Sequence, residues 1–297
     1  MLKTTLEQWR MFKAVVEHGG FSQAAAAIHK SQSTVHHAVH KLEEALGIKL
    51  LTVKGRKAVL TEAGELMLRR SAYLLDEARK IEAVADSLNA GVETRMTIAV
   101  DQIFPQRYLY ETFNRVSEEF PLLRIELIET ALSGANELLT KGKVDLALSP
   151  QPVRGAFSEE LCPIDFIAVA SPDHALHHLG HELTFEDLKA CRQIVVRDSA
   201  LESSRDEGWL GANQRWTVSH MRTSIDMVSQ GFGFAWLPKP HIADQLAQGV
   251  LKPLPLRNGL QRTSSIYLTF IDSDRLGPAA RALLGELRIQ TQPLSEA

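Results

Sequence analysis

Residues 21–47 read FSQAAAAIHKSQSTVHHAVHKLEEALG. Just before them, Gly19-Gly20 breaks an amphipathic helix carried by Leu6, Trp9, Phe12, Val15 and Val16, and Phe21 packs back onto it. Ser22 is placed to cap a short alanine-rich helix over residues 23–29, whose small side chains let a neighbouring helix approach closely. After a tight connection at Lys30-Ser31-Gln32, Ser33 is placed to cap a third helix running to about residue 46. Val35, Val39, Leu42 and Leu46 form its buried stripe, and Gly47 ends it. Two short helices joined by so tight a turn, the second with a polar outer face, describe a helix-turn-helix.

The exposed set on the third helix is Gln32, Ser33, Thr34, His36, His37, His40 and Lys41, groups that donate to phosphates and base edges. Residues 50–60, LLTVKGRKAVL, read as two short strands around a basic turn, a wing that brings Lys54 and Arg56 to the flanking DNA backbone. The net charge of −3 conceals a division along the chain. Residues 1–60 carry nine Lys/Arg against four Asp/Glu, so the remainder is acidic. A basic head on an acidic body suits phosphate attraction by one domain only.

From Thr61 to about residue 89 only Gly64 interrupts a helix-forming composition. Met67, Leu74, Ile81 and Leu88 recur every seven residues, with Ser71, Ala78 and Ala85 between them. A helix of roughly 40 Å projecting from a small domain cannot cover such a seam, so a second copy is the expected partner. Met67, Leu74, Ala78, Ile81, Ala85 and Leu88 are the dimerisation candidates.

Beyond a hinge at Asn89-Ala90-Gly91, strand and helix patterns alternate, with strands over 96–100, 123–128, 144–148, 166–170, 193–197, 234–237 and 265–270. This argues for a largely parallel α/β sheet. Chain crossings near residues 162 and 264 divide it into two lobes, 92–162 with 265–297, and 163–264. Ligands in such folds sit beyond the carboxyl ends of strands. That rule selects Asp101, Gln102, Thr130, Ser149, Asp198 and Ser199, with Arg222, Thr223 and Ser224 at a helix start. Arg197 or Arg222 would hold an anion, which Asp101 opposes unless a cation pairs with it. His174, His177, His178 and His181 lie in a turn and loop, and no metal is expected there.

The order FxxVVExGGFSxAAxxxxxSQSTVxxxVxxLEExLGxxLL…R…LTEAG, from Leu6 to Gly64, resembles the N-terminal domain of LysR-type transcriptional regulators. The segments VDLAL, SPDH and GFGFAWLP resemble that family's effector-domain landmarks. The resemblance implies an α/β chain with a winged helix-turn-helix (1–61), a linker helix and hinge (62–91) and a two-lobed, periplasmic-binding-protein-like effector domain (92–297). It also implies double-stranded DNA, a small-molecule effector and self-association as dimer or tetramer. Where the family usually has Ser-Arg in the recognition helix, this chain has His36-His37. Where it usually has Leu-Phe-x-Arg, it has Leu50-Leu51-Thr52-Val53. The three histidines raise the expectation that DNA affinity rises as pH falls, because imidazoles ordinarily titrate near pH ~6.5.

No catalytic motif stands out, so no enzymatic activity and no cofactor are expected. The two cysteines, Cys162 and Cys191, have no metal or redox spacing. With no apolar leader or membrane span, a cytoplasmic protein is expected. Two alternatives remain: a ligand-independent architectural DNA-binding protein, and a cytoplasmic solute-binding or enzyme module on the same scaffold.

Overall fold

The computed structural model describes residues 2–54, 57–202, 205–259 and 261–295. The chain forms two compact units, residues 1–90 and 91–297.

In the first unit α1 (Leu6–Glu17), α2 (Phe21–Ala27) and α3 (Gln32–Leu46) are followed by β1 (Leu51–Lys54), β2 (Lys57–Leu60) and the 28-residue α4 (Glu62–Asn89). Phe12, Val15, Ala24, Val35, Val39, Leu42 and Leu50 close the core. The caps differ from expectation. Residues 31–34 offer three hydroxyls, but only Ser31 has the extended backbone of a cap, and its Oγ accepts the Thr34 amide at 3.1 Å. Ser33 therefore stands inside α3. Likewise α2 begins at Phe21 after Gly20, leaving Ser22 exposed in its first turn.

Glu43 ties α3 to the wing. Its Oε1 accepts the amides of Leu50 (2.8 Å) and Leu51 (3.1 Å), and Oε2 lies 2.6 Å from Lys49 Nζ. Burial raises the Glu43 pKa, but Lys49 and the two amides outweigh it and hold the carboxyl below its ordinary value. The stabilisation is therefore complete above the ordinary glutamate range and is lost as pH falls through the depressed value. Glu43→Gln is expected to cost about 2 kcal/mol at neutral pH, and progressively less in acid. Faster hydrogen exchange at the Leu50 and Leu51 amides would report it. At the start of α4, Thr61 donates its hydroxyl to Lys49 O (2.7 Å) and its amide to Leu50 O (3.0 Å). A Cβ on Gly64 would lie 2.0 Å from Leu50 O, so only glycine lets helix and wing meet this closely.

Along α4 the seam divides. Met67 and Leu75 pack against the head's own core and Ser71 is buried, whereas Leu74, Ile81 and Leu88 are exposed. No described helix is long and apolar enough to cross a membrane.

The second unit is built from β3 (Arg95–Asp101), α5 (Gln106–Glu119), β4 (Arg124–Thr130), α6 (Gly134–Thr140), β5 (Leu146–Ser149) and the long β6 (Phe157–Ala170). There follow α7 (Phe185–Lys189), β7 (Arg192–Val196), β8 (Gln214–Val218), α8 (Met221–Ser229) and β9 (Phe234–Pro238). The chain closes with α9 (Ala243–Ala247), β10 (Lys252–Pro253), β11 (Gln261–Phe270) and α10 (Pro278–Ser295). The strand order is β4-β3-β5-β11-β6-β9-β7-β8, with β10 also on β6. β6 and β11 run antiparallel through both lobes, from Gln261 opposite Ile167 to Phe270 opposite Phe157, with a register shift at Ile266/Tyr267. β7 and β8 are parallel, yet the described residues of their crossover form no helix.

Candidate functional sites

In the first unit the outer face of α3 is a continuous polar surface. Gln32, Ser33, Thr34, His36, His37, His40 and Lys41 are all exposed, while Val35, Val39 and Leu42 face the core. The His36 ring packs 5.1 Å from Phe21 and 6.5 Å from His40, whose Nδ1 lies 3.3 Å from Glu44. Lys54 ends β1; its side chain, like the whole of Arg56, lies outside the described residues.

In the second unit the strand ends of the two lobes enclose a cavity of about 390 Å³. Asp101 and Gln102 line it from the first lobe, and Arg197, Asp198 and Ser224 from the second. Gln102 links the lobes by accepting the Met221 amide at the start of α8 (2.6 Å). Elsewhere between the lobes the Ala131 amide donates to Ser199 Oγ (2.9 Å), Ser199 N to Ala131 O (3.2 Å), and Ser133 N to Asp198 Oδ1 (3.1 Å). Glu137 Oε2 accepts the amides of Leu201 and Glu202. Between these contacts Leu132 has φ +55°, a left-handed conformation that costs roughly 1–2 kcal/mol for a residue with a Cβ.

Several residues selected from the strand-end rule stand elsewhere. Thr130 is buried and does not line the cavity. Ser149 donates its hydroxyl within the first lobe, to Asn136 Oδ1 at 2.7 Å or Gln151 O at 2.6 Å. Ser199 is engaged by Ala131. Arg222 and Thr223 are exposed, and Arg222 pairs with Asp226 at 3.3 Å. The reason is helical geometry: Met221 and Ser224 occupy the cleft face of α8, which turns the two residues between them outward.

Asp101 is almost wholly buried. It accepts the Ile103 amide at 2.9 Å, and its Oδ2 has no hydrogen-bond partner. Burial, helped by the nearby Asp198 charge, pushes its pKa up to about 7 against the opposing pull of the Ile103 and Leu132 amides. The folded state thus holds a proton that the unfolded chain releases near pH ~4, so stability falls as pH rises between those values. Asp101→Asn is expected to flatten this dependence between pH 5 and 8, measured by urea unfolding. A slope unchanged in the variant would assign the dependence to another group.

The cavity also draws on residues outside the strand-end rule, among them Phe166, Phe185, Gln193, Trp209, Trp236 and Arg262. Two of the chain's four tryptophans, Trp209 and Trp236, line it, and no periodicity in the sequence marks them.

A head with an exposed recognition helix, followed by a two-lobed α/β unit with a central cavity, defines a ligand-responsive DNA-binding regulator. Residues 6–65 match the bacterial regulatory helix-turn-helix protein domain of the lysR family, and residues 89–292 match the LysR substrate binding domain. The chain belongs to the LysR family of transcriptional regulators. It is 32% identical to a probable hydrogen peroxide-inducible genes activator of Streptomyces viridosporus, over 82% of this chain and 79% of that one. It is 28% identical to the probable HTH-type transcriptional regulator YhaJ of Escherichia coli, over 84% and 85%. CrgA of Neisseria meningitidis, a LysR-type regulator of solved structure, shares the fold with a TM-score of 0.55 at 22% identity, covering 97% of this chain and 99% of its own.

Proposed function

We propose that this chain regulates transcription as a dimer or higher oligomer, acting by binding rather than catalysis. A small molecule in the cavity biases how its two lobes pack. The observation that carries this reading is the cavity itself, lined by residues whose hydrogen bonds join the lobes. An occupant that prefers one lobe arrangement shifts the population toward it, and only by as much as its affinities for the two arrangements differ.

In this reading Ser22 and the exposed residues of α3 contact DNA, Lys54 and Arg56 contact the flanking backbone, and α4 pairs through Leu74, Ala78, Ile81, Ala85 and Leu88. Asp101 and Gln102 belong to the effector site. The boundaries are those of the sequence: 1–61 for the head, 62–91 for the linker, 92–297 for the effector domain. Cytoplasmic residence goes with access to DNA.

The inducer in the Streptomyces relative's name is not carried over. Peroxide sensing calls for an accessible, acidic thiol. Burial pushes Cys162 up to about 12 and also raises Cys191. Sequencing of genomic fragments captured by the purified protein against random competitor DNA tests the proposal. Enrichment of a few intergenic inverted repeats is expected; uniform recovery at all salt concentrations would favour an architectural DNA-binding protein.

A further inference from the structure

We propose that the effector is an aromatic carboxylate, its ring against Trp209, Trp236 and Phe185 and its carboxylate on Arg262. This rests on the reading of the cavity as the effector site. Arg262 projects from β11 with its guanidinium carbon 4.4 Å above the ring of Phe166, its partner across the β6–β11 ladder. Among the described residues no hydrogen bond or ion pair reaches this guanidinium. Burial lowers its pKa, and Glu207 opposes that only through space. A partly buried guanidinium that lines the cavity with five donors and no partner among the described residues is suited to a planar anion.

The surface beside it is aromatic and held in place. Phe185 and Trp209 stack with centroids 5.5 Å apart and planes 28° apart, and Trp236 lies 5.8 Å from Trp209. Trp236 donates its indole N–H to Gly259 O (2.9 Å), and Gln193 Nε2 donates to Trp209 O (2.7 Å). The indole of Trp236 is thus held by its own hydrogen bond and that of Trp209 by stacking on Phe185, so little rotamer freedom is lost when a flat molecule docks. Residues 205–210 of the β7–β8 crossover, which form no helix, line this part of the cavity. At about 390 Å³ it holds a molecule of one or two rings. An aromatic pocket also suits a cation, but Arg262 at its edge repels one. Asp101 does not exclude the anion: burial raises its pKa to about 7, so at neutral pH the carboxyl is protonated in about half of the molecules.

The test uses the full-length protein with benzoate and indole-3-acetate, against benzamide and phenyltrimethylammonium, followed by tryptophan fluorescence and melting temperature. Both carboxylates are expected to quench fluorescence and raise the melting temperature, with benzamide at least about tenfold weaker. Arg262→Met is expected to abolish the preference for benzoate over benzamide, Arg262→Lys to retain part of it, and Trp209→Leu to weaken both compounds. Equal binding of benzoate and benzamide, tighter binding of the ammonium, or unchanged benzoate affinity in Arg262→Met would overturn the assignment while leaving the cleft as an effector site. If no small molecule of any class stabilises the protein, and a Gly134→Val substitution at the lobe contact leaves DNA binding unaltered, both readings fall.

Discussion

Glutamate at both Ile81 and Leu88 is expected to turn the protein into a monomer and to weaken its binding to a two-half-site operator by about 10²–10⁴-fold. Both side chains are exposed on the distal part of α4, beyond the point where Met67 and Leu75 are held by the head's own core. Opposed carboxylates would replace an apolar contact there. The affinity lost is that of bivalency: with two heads on one rod, binding of the first raises the local concentration of the second. Affinity for a single half-site should stay the same, which separates this effect from damage to α3. Sedimentation and gel-shift titration with whole and half operators would measure both. A double variant that remains dimeric would place the self-association surface outside α4.

The second large effect is expected at Gly134, the first residue of α6. A Cβ there would lie 1.9 Å from Ser199 Oγ and 3.2 Å from Thr130 Cβ. Gly134→Val must therefore displace Ser199, and with it three hydrogen bonds between the lobes: Ala131 N to Ser199 Oγ, Ser199 N to Ala131 O, and Ser133 N to Asp198. At about 1 kcal/mol each they amount to about 3 kcal/mol, a ~100-fold shift away from the arrangement in which these bonds join the lobes. Hydrogen exchange at the Ala131, Ser133 and Ser199 amides should quicken together, leaving the strands of each lobe protected. Adding Ser199→Gly removes the obstructing oxygen and is expected to restore protection at Ser133; independent effects of the two changes would deny that the lobes meet through this pair.

What the sequence made legible follows from the range of each signal. Period and glycine punctuation are local, so α1, α3 and α4 could be read within a residue or two. The cap at Ser31 could not be separated from Ser33, because their difference is a backbone angle and not a side chain. Strand β8 escaped notice, since QRWTV is an edge strand whose residues are mostly exposed and show no apolar alternation. In the cleft, Asp101 and Gln102 follow a strand end and were within reach of a topological rule. Arg262 and Phe166 were not. They are 96 residues apart and adjacent only through the β6–β11 register, and Trp209 joins them from a loop without any periodicity. The tension between Asp101 and an anion was real at the level of formal charge; burial lessens it by raising the carboxyl's pKa to about 7.

The contact between Gly64 and Leu50 has a mechanical side. Thr61 bonds both Lys49 and Leu50, and the missing Cβ at Gly64 leaves no gap between helix and wing. Head and α4 therefore turn as one lever, with no joint at its fulcrum to absorb motion. Its arm, 28 residues at ~1.5 Å each, is about 42 Å long. Shifting the free end sideways by ~4 Å tilts the recognition face by ~5°. A rearrangement no larger than a side chain would thus be delivered undiminished in angle to the exposed face of α3.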